Sequence, residues 1–129
     1  MSAKSPMTPN RERIKLWIDA LRSGEFKQGR GALEWRGCNC PVGVAYRVAM
    51  RNGLTIQVED VHGLIVFDGG ALFGSLLLWD WFGLPYQGSI ISWRGMGLNI
   101  MNLNDNERLS FAQIADLMEQ QWLAPQEVK

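Results

Sequence analysis

One histidine, two cysteines and no surplus of either charge deny this chain the equipment of many enzymes and nucleic-acid binders. Thirteen Lys and Arg balance thirteen Asp and Glu. No global field therefore steers the chain onto DNA, RNA or an anionic membrane. A nucleophile paired with an imidazole base has a single candidate, His62, and Val61-His62-Gly63 reads as a turn before a strand. Cys38-x-Cys40 with His62 supplies three soft ligands at most, short of the four that structural zinc takes. The G-x-S-x-G, H-E-x-x-H and phosphate-loop motifs are all missing. No metal, cofactor or catalytic set is expected. The most apolar window, Gly70 to Gly83, is too short to span a bilayer and is broken by Asp80. Residues 1–10 are polar, carry two prolines and show no apolar leader. A cytoplasmic location with free thiols is the expectation.

What the chain does have is apolar mass. Hydrophobic residues make up 47% of its 129 positions, enough for one well-buried core without staples. Six tryptophans build that core, or a pocket, on large flat rings. Fourteen glycines punctuate many short elements. The expected organisation is a loose arm over 1–7, one α+β domain over 8–124 and a tail over 125–129.

Thr8-Pro9 is a helix-start signal, with Thr8 as N-cap. Ile14, Trp17, Ile18 and Leu21 follow at helical spacing, and Ser23-Gly24 stops the helix. Phe26 to Trp35 reads as a strand, or as a hairpin turning at Gly29-Arg30-Gly31. Pro41 opens a second helix through Val42, Ala45, Tyr46 and Ala49 to the cap Asn52-Gly53. Leu54 to Val58 alternates as a half-buried strand, and Gly63 to Phe67 is a more buried one ending in the turn Asp68-Gly69-Gly70. Ala71 to Phe82 is apolar nearly all round. Its length and the stop at Gly83-Leu84-Pro85 favour a buried helix over a strand. Ile90 to Trp93 is a short strand, followed by a turn or short helix from Leu98 to Leu103. After a polar Asn104-Asp105 loop, Ser110 and Gln113 form a capping box for a last helix carrying Ile114, Leu117, Met118 and Trp122. The sum is α+β: about four helices around a small, mostly antiparallel sheet.

Three blocks, in this order, resemble a known family. They are Trp17-Ile18-Asp19-Ala20-Leu21-Arg22-Ser23-Gly24 running on to Gln28-Gly29-Arg30-Gly31, then Gly37 to Ala49 around the cysteines, then Leu103-Asn104-Asp105 leading into Ser110-Phe111-Ala112-Gln113-Ile114-Ala115. The family consists of small uncharacterised proteins of tailed bacteriophages, prophages and their hosts. Trp81-Phe82-Gly83-Leu84 stands where that family has W-L-G-L. Cys38-Asn39-Cys40 replaces the family's adjacent cysteines, so no shared cysteine role is carried over. The resemblance implies a phage or prophage origin and supplies no activity, cofactor or catalytic residue.

The candidate site is a set of tryptophans and arginines. Trp35-Arg36 and Trp93-Arg94 are adjacent pairs, and Trp81 lies in the apolar segment. Together they suit a pocket for a nucleotide-like small molecule: rings stack on a base and arginine grips an anion. Asp105 is the carboxylate to add if the Asn-Asp loop has a role beyond its turn. Three functions follow in order: an accessory protein binding a host protein, a small-molecule binder or sequestering protein, and a carboxylate-dependent hydrolase. Leu76-Leu77-Leu78-Trp79 places apolar groups on every side of its helix, so a homo-oligomer is expected too. The basic cluster Arg11, Arg13, Lys15 and Arg22 reads as a solvated helix face.

Overall fold

A computed structural model describes residues 8–70, 74–85 and 90–123. The expected arm, the whole of the expected tail and Ala71 to Phe73 lie outside the described residues. The domain is α+β, as its elements suggest; the described residues form five α-helices, a five-stranded mixed sheet and a separate two-stranded hairpin.

The first helix, α1 (Arg11–Arg22), buries Ile14, Trp17, Ile18 and Leu21. Its N-cap is Asn10, not Thr8: the Asn10 side chain accepts from the Arg13 amide at 3.0 Å. The Asn10 amide donates to the Phe82 carbonyl at 2.8 Å, and a Cβ on Gly83 would lie 2.2 Å from the Thr8 carbonyl oxygen. The entering chain is thus docked on another helix, and that docking moves the helix start two residues on.

Three two-residue strands follow: β1 (Lys27–Gln28), β2 (Glu34–Trp35) and β3 (Cys38–Asn39). The glycine-rich turn does not close a hairpin, as the sequence suggested. β1 pairs in parallel with β3, and β3 pairs antiparallel with β2 across the corner Arg36-Gly37. Helix α2 (Pro41–Arg51) starts on Cys40 and is almost wholly buried as far as Ala49. Leu54 to Gln57 alternates in burial but forms no strand. The ladder begins later, with β4 (Val58–Val61) against β5 (Leu64–Phe67), because Phe67 is where β5 ends. The sheet order is β1-β3-β2-β5-β4.

Helix α3 (Leu76–Phe82), capped by Ser75, makes the second half of the apolar segment helical, but not fully buried. Leu78, Trp79 and Phe82 are inside, whereas Leu76 and Leu77 are 58% and 51% exposed. Strands β6 (Ile90–Trp93) and β7 (Met96–Asn99) form the second hairpin, where the sequence suggested one strand and then a turn or helix. Helix α4 (Ile100–Asp105) follows, capped by Asn99, so Asn104 and Asp105 end a helix rather than form a loop. Helix α5 (Phe111–Met118) carries the expected capping box and runs into a π-helical turn at Glu119–Leu123.

The core forms around Trp17. Its ring lies 4.9 Å from Phe82 and 6.0 Å from Trp79, and its Nε1 donates to the Pro41 carbonyl at 2.9 Å. A fully buried indole with its one donor satisfied is the best use a core makes of tryptophan. On the other side of α2, Tyr46 stacks on Phe67 at 4.6 Å, fixing that helix to one face of the sheet.

Candidate functional site

The register of the five-stranded sheet sorts its residues into two faces. Cross-strand partners point the same way, and neighbours along a strand point opposite ways. Asn39, Glu34 and Ile65 form one row, on the face that α2 covers. There Arg47 of α2 makes a bidentate pair with Glu34, at 2.8 and 3.0 Å. The next row is Lys27, Cys38, Trp35, Leu64 and Val61. It lies on the opposite face, which no helix covers among the described residues. Trp35 is 47% exposed, Leu64 38% and Val61 48%. At about 4.8 Å between strands, the five-residue row spans about 19 Å.

Two pockets open beside this row. One, of about 280 Å³, is lined by Gly29, Arg30, Ala32, Trp35, Arg36 and Cys38. The other, of about 150 Å³, is lined by Gly31, Ala32, Leu33, Gly70 and the whole of β5. Ala32 borders both. The first is basic and aromatic; the second is apolar.

The basic pocket owes its shape to three local devices. Arg36 and Gly37 take φ of +52° and +81° at a two-residue hairpin corner. Both left-handed values belong to the turn type that matches strand twist. Placing arginine rather than glycine or asparagine there costs about 1–2 kcal/mol. The Arg36 guanidinium folds back over the Trp35 ring, 4.6 Å from its centroid. Across the pocket, Arg30 is held by the Asn104 carbonyl, which accepts from its Nε at 2.8 Å. The floor is tight: a Cβ on Gly29 would lie 2.7 Å from the Cys38 Cβ.

Behind the pocket lies a closed polar network. Gln28 Nε2 donates to Asn104 Oδ1 at 2.7 Å and to the Leu109 carbonyl at 2.8 Å, while its Oε1 accepts from the Phe111 amide at 3.2 Å. Asn104 Nδ2 donates to the Gly29 carbonyl at 2.9 Å and to Asp105 Oδ1 at 2.8 Å. Asp105 Oδ1 also accepts from the Gly31 amide at 3.2 Å. Asn104 is completely buried, and the network satisfies both ends of its side chain.

The tryptophan–arginine set is divided by the fold. Trp35 and Arg36 share the basic pocket. Trp93 and Arg94 repeat the same corner on β6–β7, with Arg94 at φ +50° and its guanidinium 4.6 Å from the Trp93 centroid. Trp81 takes a different arginine, Arg13, at 4.4 Å. Trp81, Trp93, Arg94 and Asp105 do not line the Trp35 pocket. Register adds the residues that sequence reasoning missed: Arg30 and Cys38 in the pocket, Leu64 and Val61 along the row. The only trace of them in the sequence was alternation too short to read.

The other candidates are structural in form. His62 takes φ +54° at the β4–β5 corner. Asp80 points outward and is exposed, as are Glu59 and Asp60. Among the described residues, no three His, Cys, Asp or Glu side chains gather to hold a metal. The two cysteines are free and differ in setting. Cys38 is half-buried at the pocket. Cys40 is buried at the start of α2, where burial pushes its thiol up to about 11 against the lowering effect of the Gly43 and Val42 amides. The basic helix face is largely engaged by the protein itself: Arg11 on the Trp122 and Leu123 carbonyls, Arg13 on the Trp81 carbonyl, Arg22 on Asp116 and Glu119.

No helix among the described residues is long and apolar enough to cross a membrane. Compared with family models, with curated proteins and with solved structures, the chain matches none.

Proposed function

We propose that this chain is a phage- or prophage-type accessory protein that acts by binding a host protein in the bacterial cytoplasm, through the open face of its five-stranded sheet. One observation carries the reading. Trp35, Leu64 and Val61 stand side by side and exposed, while 25 apolar residues are buried elsewhere. Contiguous exposed apolar surface of this kind marks interaction sites, and tryptophan is enriched among the anchors of interfaces. Lys27 at one end of the row and Arg36 at the corner beside Trp35 suit a partner segment that combines apolar side chains with carboxylates. The carboxylate hydrolase has less support, since Asp105 is committed to the Gly31 amide and Asn104. The small-molecule reading narrows to Trp35 and Arg36, with Arg30 and Cys38 beside them. A second surface, Leu76 and Leu77 on α3, is the place for self-association.

Comparative capture from a bacterial lysate tests the main reading. Trp35→Ser/Leu64→Ser should lose a protein that the parent enriches, with an unchanged melting temperature. Leu76→Ser/Leu77→Ser should retain that protein. Identical capture by the parent and both variants would refute the assignment.

A further inference from the structure

The basic pocket has a lining that protein docking alone leaves unexplained. It carries two arginines and no carboxylate. The Arg36 side chain has no hydrogen-bond or ion-pair partner among the described residues; its one engagement there is the Trp35 ring. Its guanidinium N–H groups thus keep their hydrogen-bonding capacity unused among the described residues. Arg30 is the opposite case. Its Nε donates to the Asn104 carbonyl and one Nη, at 3.5 Å, to that of Arg108, which fixes the group while leaving further N–H donors free. One fixed guanidinium and one unpaired one on a shared pocket make a receptor for an anion. The remaining exposed surface of Trp35 supplies a flat face for a ring. A volume of about 280 Å³ is at the small end for ligand pockets.

We propose that this pocket binds a small aromatic anion, a planar ring bearing a phosphate, of the nucleoside monophosphate class. The ring stacks on Trp35, and Arg30 and Arg36 hold the phosphate. The inference rests on the open face being the working surface, and its test separates the two. The left-handed corner places Arg36 beside the pocket, and the network behind Gly29 holds Arg30 in position before any ligand arrives, so little ordering cost remains at binding.

Cys38 lines the pocket and serves as a built-in reporter, with buried Cys40 as the internal control. The experiment follows iodoacetamide labelling of each thiol by peptide mass spectrometry while adenosine monophosphate is titrated, with calorimetry for the dissociation constant. The nucleotide should slow Cys38 labelling with a dissociation constant below about 1 mM. Adenosine alone and inorganic phosphate alone should each bind at least about tenfold more weakly, because each satisfies half the site. Arg36→Asn keeps a residue that accepts the left-handed corner and removes the charge. It should weaken the nucleotide by about tenfold or more, the worth of a charged hydrogen bond. Arg94→Asn, the same change at the equivalent corner outside the pocket, should leave binding unchanged. Unprotected Cys38 at about 1 mM nucleotide, phosphate protecting as well as the nucleotide, or equal effects of the two Asn variants would each overturn the proposal. Failure here with lysate capture still dependent on Trp35 and Leu64 would end this inference and leave the protein-binding reading standing.

Discussion

Gln28 donates through its Nε2 to Asn104 Oδ1 at 2.7 Å, joining residues 76 positions apart. This bond ties β1 to the end of α4, and the backbone of the pocket turn, at Gly29 and Gly31, hangs from the same cluster. Buried amides in a closed network are costly to disturb, because each lost partner strands another group. Asn104→Leu should therefore destabilise by about 3 kcal/mol, measured by denaturant titration. Asp105→Asn should change stability by less than about 1 kcal/mol, because an amide oxygen can accept both bonds that the carboxylate accepts. A folded Asp105→Asn protein that has lost host-cell function would instead make this carboxylate part of the site.

Gly43 sits inside α2, where alanine ordinarily gains about 1 kcal/mol. Here a Cβ would stand 1.9 Å from the Leu33 carbonyl oxygen, and that oxygen also accepts from the Cys40 amide at 3.0 Å. Gly43→Ala should cost about 3 kcal/mol or more, because the contact of α2 with the Leu33 backbone has to open. An unchanged melting temperature would contradict this close approach of α2 to the Leu33 carbonyl.

The hairpin corners carry removable strain. Arg94 at φ +50° stands where asparagine is preferred. Arg94→Asn should stabilise by about 1 kcal/mol, as a rise in melting temperature. A fall would show that the stacked Trp93–Arg94 pair outweighs the strain.

Cys40 links stability to alkaline pH. Its folded pKa of about 11 lies above the ordinary thiol value of 9.0. The folded state therefore holds this proton more tightly, a contribution fully present below pH 9 and lost as pH rises toward 11. Two units correspond to about 3 kcal/mol as an upper bound. Denaturation midpoints should fall between pH 9 and 11 in the parent and fall less in Cys40→Ala. Parallel curves would contradict the burial of this thiol.

The elements that could be read from sequence were those whose cause is local. α1, α2 and α5 announced themselves by 3.6-residue periodicity, and α5 also by the Ser110–Gln113 capping box. The β6–β7 hairpin was hidden because its corner is Arg94-Gly95 rather than Asn-Gly. The parallel pairing of β1 with β3 was hidden because nothing near Lys27 encodes a partner eleven residues on. Asn104 and Asp105 looked like a loop because Asn and Asp are poor helix formers, and their partners at Gln28 and Gly31 are distant in sequence. The site divides along the same line. Trp35 and Arg36 were visible as an aromatic–basic pair. Trp81 lies apart from them, under Arg13. Leu64 and Val61 joined Trp35 only through a strand register that short strands do not reveal.

The most direct test places a photoreactive amino acid at single positions of the chain expressed in its host bacterium. Val61 lies on the open sheet face, and Leu77 lies exposed on α3 as the comparison. Binding through the sheet predicts a discrete adduct with one host protein from position 61 and none from position 77. A discrete host adduct from position 77, with none from position 61, would contradict it.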